Sequence, residues 1–449
     1  MPTDAATAAR TLARYAVNAQ HADIPAAARH EATRSLLNWL GCAVGGSRHP
    51  AVDKALAALF PFAASDQCTV LGRRERTDAL HAALINGLSA HVLDFDDTHL
   101  RTLLHPSVPV VSALLALGER QPVSGRDFLL AFIVGVEIEC RIANAIWFAH
   151  NSHWYITGTA GVFGAAAAIA RVLGLDEDQT THALGIAGAQ SAGTREMAGT
   201  MTKALIHGRA AQNGLLAALL AQQGFTAAET SLEGPHGFAN VLAPERDLAA
   251  LTAGLGTTYE ILSNSYKPFA CGVVAHPVID ACIQLRNKNK LKVADIEAIA
   301  LRVSPRALEL TGIKEPPNGL KSKWSIYHSA AVALVDGAAG EHQYSDERVN
   351  APEVLGLRRR ISATADAQLA EIAAHVTVKL KSGATLDKHI DRVVGSAENP
   401  MRDRELETKV RGLAHGVLPE TQVAALIALA WRVGELQDVA ELARGAAMA

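Results

Sequence analysis

Residues 91–107 read HVLDFDDTHLRTLLHPS, a stretch dense in histidine, aspartate and threonine within a chain otherwise rich in alanine and leucine. Carboxylates and imidazoles this close together can hand protons to a substrate and orient one another. If the helical pattern of ALHAALINGLSAHVLDFDD runs on to Asp97, then His91, Asp94 and Thr98 share one helix face. His105 falls where Pro106 breaks the chain and a new helix begins, a place that attracts anions. Helix capping by the aspartates is the ordinary alternative for any one of these residues. A magnesium-binding aspartate motif would need a second acidic helix to clamp a diphosphate, and no comparable acidic run occurs elsewhere, so no metal is expected.

Four further segments carry usable chemistry. HNSHWYITGTAGVFGAAAA (150–168) places His153, Tyr155, Thr157 and Thr159 at the entrance of a helix of small residues. In GTREMAGTMTKALIHGRAAQNG (193–214), Lys203 stands among small and apolar residues with His207 one turn later, and a lysine desolvated in this way binds carboxylates or shifts its pKa. SYKPFACGVVAHPVIDA (265–281) brings Lys267, Cys271 and His276 to a boundary between two sequence textures, where clefts for small ligands form. LKSKWSIYHSAAVALVDG (320–337) puts Lys323, Tyr327 and His328 ahead of an apolar helix, a pattern that by itself reads as core.

The elements that must position these groups are mostly helices. The 449 residues are 49% hydrophobic but only 5% aromatic, which favours helices packed closely through alanine. Residues 1–262 and 404–449 keep a period near 3.6, whereas IEAIALRV (296–303) and HVTVKLKSGATLDKHI (375–390) alternate, the second with a hairpin turn at Ser382-Gly383. A mainly α fold follows: a large helical domain (1–262 plus 404–449) with an inserted, smaller α+β lid domain (263–403). In DIPAAARHEATRSLLNWLGCAVGG, Asp23 is the expected cap and Gly45-Gly46 the expected left-handed stop.

A net charge of -3 without a long Lys/Arg run argues against a nucleic-acid partner. The most apolar run, FLLAFIVGV, is too short to cross a membrane before Glu137, Glu139 and Arg141. The five cysteines are scattered, which suits a reduced, cytoplasmic protein. No fixed-period repeat supports a helical scaffold.

In their order and spacing, HVLDFDDTH with HPS, TGTAGVFGAAAA, GTMTK, KPFACGVVAHPVIDA and WSIYHSAAVALVDG resemble the MmgE/PrpD family, which includes 2-methylcitrate dehydratase, cis-aconitate decarboxylase and iminodisuccinate epimerase. The resemblance covers nearly the whole chain. It implies a homodimer, a small polycarboxylate substrate, no cofactor, and a metal-free site between the two domains. Asp94, Thr98, His105, Lys203 and Lys267 match the family's site motifs. Tyr155 stands where the family commonly has histidine, with His153 displaced by two, and the decarboxylase-like members have histidine at Gly272 and tyrosine at His328. The expected reaction is proton removal next to a carboxylate, with loss of water as in 2-methylcitrate dehydratase; epimerisation of an imino- or amino-dicarboxylate and decarboxylation are the alternatives. The expected site comprises Asp94, His105, Tyr155, Lys203 and His328 for catalysis, and Thr98, His153, Lys267, Cys271 and His276 for substrate contact.

Overall fold

The chain folds mainly as α-helix, in a computed structural model that describes residues 7–150, 153–396 and 398–448. The first helices are α1 (Ala8–Asn18), α2 (Ala26–Gly46), α3 (Pro50–Leu59), α4 (Ala79–Val92), α5 (Ser107–Gly118), α6 (Gly125–His150), α7 (Ile156–Val172), α8 (Glu177–Ala189) and α9 (Met201–Gln222). Several starts follow from their caps: the Asp78 side chain accepts the His81 amide before α4, and Asp176 with Gln179 forms a capping box at α8. Asp23 does not cap α2; it sits in a short 3-10 turn, and Pro25 takes the cap position.

Small residues set the helix spacing. A Cβ on Gly208 of α9 would lie 2.2 Å from the Leu84 carbonyl oxygen, and one on Gly87 of α4 would lie 2.8 Å from the Gly208 Cα, so these helices cross backbone to backbone. Gly46 has the same function rather than the expected helix stop: it stays inside α2, where a Cβ would lie 2.0 Å from the Ser89 carbonyl oxygen of α4. Such contact locks α4 between α2 and α9, and α4 and α9 lead to Asp94 and carry Lys203.

Four strands form the larger sheet: β1 (Ile296–Val303), β2 (Ile361–Ala365), β3 (Ala374–Leu380) and β4 (Thr385–Ile390), in the order β2-β1-β3-β4. β1 runs parallel to β2 and antiparallel to β3, and β3 and β4 form the hairpin that turns through Gly383 at φ 87. β2 was not legible as a strand in the sequence. Buried Ile299, Leu301, Val303, Val376 and Val378 face the helices His276–Asn289 and Ile326–Val335 in one apolar cluster, which reaches across to Cys42 and Phe95. The helix Asp403–Ala414 packs back on α2, with Val410 against Gly41. Among the described residues, no helix is long and apolar enough to cross a membrane.

The expected continuation of α4 to Asp97 does not occur. The helix ends at Val92, and Asp94 takes φ 53, a left-handed conformation that turns the backbone aside. His91, Asp94 and Thr98 therefore meet through a turn, not along a helix face.

Because a Cβ at position 208 meets fixed backbone, Gly208→Ala is expected to cost about 1–3 kcal/mol through overpacking. Chemical denaturation should show that loss as α9 is pushed off α4.

Candidate active site

Asp94, Thr98, His105, Tyr155, Lys203 and Lys267 line one cavity of about 590 Å³, measured with its open mouth. Leu103, Ile156, Val273, Val274, Leu310 and Trp324 supply its apolar wall, and Arg195 and Gly272 also border it. The polar groups come from separate elements: the turn after α4, the entrance to α5, the start of α7, the first turn of α9, and the segment after Ser265. Lys267 is brought in by a two-residue ladder, Thr98–His99 against Asn264–Ser265, reinforced where Ser265 Oγ donates to the Thr98 carbonyl at 2.8 Å.

At the centre is Asp94. Its Oδ1 lies 2.6 Å from Lys267 Nζ and its Oδ2 lies 2.9 Å from Lys203 Nζ, and all three residues are buried. Burial opposes the carboxylate, but the two ammonium groups outweigh it and hold Asp94 well below the usual range. Lys203 Nζ also stands 4.9 Å from the Trp324 ring centroid and 5.6 Å from that of Tyr155, which favours the cation.

A second group orients His105. Its Nδ1 lies 2.9 Å from the Asp97 carbonyl oxygen and 3.2 Å from Asp96 Oδ2, and its amide donates to Thr157 Oγ1. With Nδ1–H committed to these acceptors, Nε2 is the nitrogen left to take a proton. Asp96 is buried, yet the imidazoles of His105 and His91 keep its carboxyl well below the usual range. Asp97 is pushed up to about 6 by burial, while its Oδ2 accepts from Ser107 and Asn264. Tyr155 is held well above 10 by burial and by the Asp94 carboxylate, so its phenol remains protonated.

Ring nitrogens of His91, His105 and His207 come within 4.8 Å of one another, as do ligand atoms of His91, Asp94 and Asp96. His91 and His207 lie face to face, 3.3 Å between centroids and 12° between planes, so their in-plane lone pairs cannot converge on one ion. In the second set, both carboxylates are taken by lysines and histidines. Neither set fits a metal. Burial presses His91 down to about 3 and His207 well below 6.5, so both are neutral packing for Lys203 and His105.

Four expected residues lie elsewhere. His153 is exposed and gives only its carbonyl, to the Arg195 amide. Cys271 is buried away from the cavity, its thiol pushed up to about 11. His276 turns inward to the Cys271 carbonyl at 3.2 Å, and burial lowers it to about 3. His328, expected in proton transfer, bonds the Gln343 carbonyl at 2.8 Å with its ring edge-on to Tyr344, and burial lowers it to about 4. Ser325 caps the helix that begins at Ile326, so His328 points into the core of the β-containing part. Arg195 and Trp324 were missed as site residues. A lone cation in the small-residue loop GTREM was the available signal for Arg195.

Replacing the carboxylate by an amide leaves two facing ammonium groups in the interior, so Asp94→Asn should lose about 3–5 kcal/mol of stability at pH 7. A carboxyl with a depressed folded pKa contributes fully above its ordinary value of 3.8 and loses that contribution as pH falls toward the folded pKa. Acid titration monitored by circular dichroism should therefore show wild type and variant converging only below pH 3.8.

Comparison with known proteins places the chain in a family. Residues 10–251 match the model of the MmgE/PrpD N-terminal domain, and residues 269–433 match that of the MmgE/PrpD C-terminal domain. A cis-aconitate decarboxylase of Aspergillus terreus is 28% identical, over 96% of this chain and 94% of its own. Cis-aconitate decarboxylases of Mus musculus and Homo sapiens are 28% and 27% identical, covering 92% and 91% of this chain and 87% and 88% of theirs. With both family domains matched in order along nearly the whole chain, this protein belongs to the MmgE/PrpD family.

Proposed function

We propose that the protein is a lyase that removes a proton next to a carboxylate of a small di- or tricarboxylate and expels water from the neighbouring carbon. The observation that carries this reading is charge: Lys203 and Lys267 outnumber the single carboxylate of Asp94 among the residues lining the cavity. Such a cavity favours a polyanion and stabilises the negative charge that develops as the C–H bond breaks. His105 Nε2 takes the proton, the C–H electron pair becomes the new C=C bond, and the phenol of Tyr155 protonates the departing hydroxyl to give water. Asp94 holds the two ammonium groups side by side and so sets the spacing of the carboxylates they receive. The same proposal divides the chain into a helical body (1–262 plus 404–449) and a lid (263–403), with a homodimer as its assembly. Cavity residues from both parts, Lys203 from one and Lys267, Val273 and Trp324 from the other, support a lid that closes over substrate.

Decarboxylation is the second reading. The relatives named cis-aconitate decarboxylase favour it, and so does the apolar wall of Leu103, Val273, Val274 and Leu310, because a carboxylate pressed against hydrocarbon is desolvated and its departure as neutral CO2 relieves that cost.

The test is incubation in deuterated water with 2-methylcitrate, citrate, cis-aconitate and iminodisuccinate, followed by NMR. Loss of water from a citrate, with deuterium entering next to a carboxylate, is expected; CO2 release from cis-aconitate instead selects the second reading, and no change in any acid removes both. On the acid that reacts, Lys203→Ala should lower kcat/KM by about 10²–10³-fold, as for other losses of a charge-stabilising donor.

A further inference from the structure

Three lysines from distant parts of the chain end on three consecutive carbonyl oxygens. Lys323 Nζ donates to Leu93 O at 2.6 Å, Lys267 Nζ to Asp94 O at 3.0 Å, and Lys409 Nζ to Phe95 O at 2.6 Å. These carbonyls span the turn in which Asp94 is left-handed, a conformation that L-residues adopt sparingly. Lys267 belongs to the cavity. The other two do not line it, and each is itself anchored. Lys323 is buried and also bonds the Ala270 carbonyl at 2.8 Å and Glu341 at 2.7 Å. Lys409, half-buried along its stem, turns its ammonium inward to Asn38 Oδ1 at 2.8 Å and lies 4.1 Å above the Phe95 ring.

Packing alone gives little reason for the Lys409 ammonium. Lys409 makes no ion pair among the described residues: its ammonium meets two neutral oxygens and a ring, and burial lowers its pKa to about 8. An ammonium drawn inward on neutral partners is expensive, and an apolar side chain of similar length would fill the space at lower cost. What the ammonium does here that a methionine could not is grip the carbonyl beside Asp94.

We propose that Lys323 and Lys409 are positioning residues that, with Lys267, clamp the 93–95 backbone so that the Asp94 carboxylate reaches Lys203 and Lys267 at once. The catalytic part of this inference rests on the lyase reading of the cavity; the mechanical part does not. Without the outer two grips, the turn relaxes toward a right-handed conformation and the carboxylate swings away from one of its lysines. The clamp also ties the segments around Lys323 and Lys409 to the same turn, so both affect the site without touching substrate.

The test is amide hydrogen exchange over residues 91–99 in Lys323→Met and Lys409→Met, with α6 and α7 as internal references, alongside turnover of the acid identified in deuterated water. At least ten-fold faster exchange over 91–99, unchanged exchange in α6 and α7, and a ten-fold or greater fall in kcat are expected, with Lys409→Arg recovering part of both. Unchanged exchange over 91–99 in both methionine variants overturns the clamp. Acceleration spread evenly into α6 and α7 also overturns it, because that marks general loss of stability. If a methionine variant does not fold, Lys→Gln at the same position, uncharged and similar in length, takes its place in the comparison. Local acceleration with wild type inert on every acid removes the lyase reading and keeps the clamp; an active enzyme with an unmoved 91–99 segment does the reverse.

Discussion

A buried carboxylate held between two buried ammonium groups is the interaction on which the rest of this site depends. Each of Asp94, Lys203 and Lys267 would be costly in the interior alone, and together they are tolerated because each charge faces its opposite within 3 Å. The triad carries one more positive than negative charge, whereas Arg195 at the cavity border lies 3.8 Å from Glu309. In the proposed function, that surplus is what a polycarboxylate neutralises on binding. A site of this kind holds its dipoles and charges in place before substrate arrives, so little reorganisation remains for the reaction itself.

That triad imposes demands on the scaffold. Lys203 projects from α9, and Asp94 follows α4, so the crossing of those helices sets the distance between the two charges. Gly87 and Gly208 let the backbones touch, and Gly46 does the same between α2 and α4. The alanine-rich, aromatic-poor composition thus serves the site: wide side chains at these crossings would separate groups that must stand 2.9 Å apart. On the other side, Asp96, Asp97 and Thr157 hold His105, while the stacked His91 and His207 fill the space behind it as neutral rings. His91, His99, His105, His207, His276 and His328 are all buried, yet of these only His105 lines the cavity.

The division of labour among histidines separates residue type from residue role. His276 and His328 occupy motif segments as polar-looking as the one around His105, but both rings turn to backbone carbonyls, and burial keeps them neutral. His153 sits two residues from Tyr155 in sequence but lies in the turn before α7, where its side chain is exposed.

From the sequence alone came the mainly helical character, the β3–β4 hairpin and β1, since each rests on a local period or turn signal. The order of five motifs also pointed to the family, and the residues matched to those motifs, Asp94, Thr98, His105, Lys203 and Lys267, all line the cavity. Only the tertiary structure decided that α4 stops at Val92, that Asp94 is left-handed, that Arg195 and Trp324 border the cavity, and that His153, Cys271, His276 and His328 do not. The reason is one of range. A helical period depends on residues three or four apart, whereas the direction of a side chain and the conformation of the 93–95 turn depend on lysines more than a hundred residues away, whose approach no local pattern encodes.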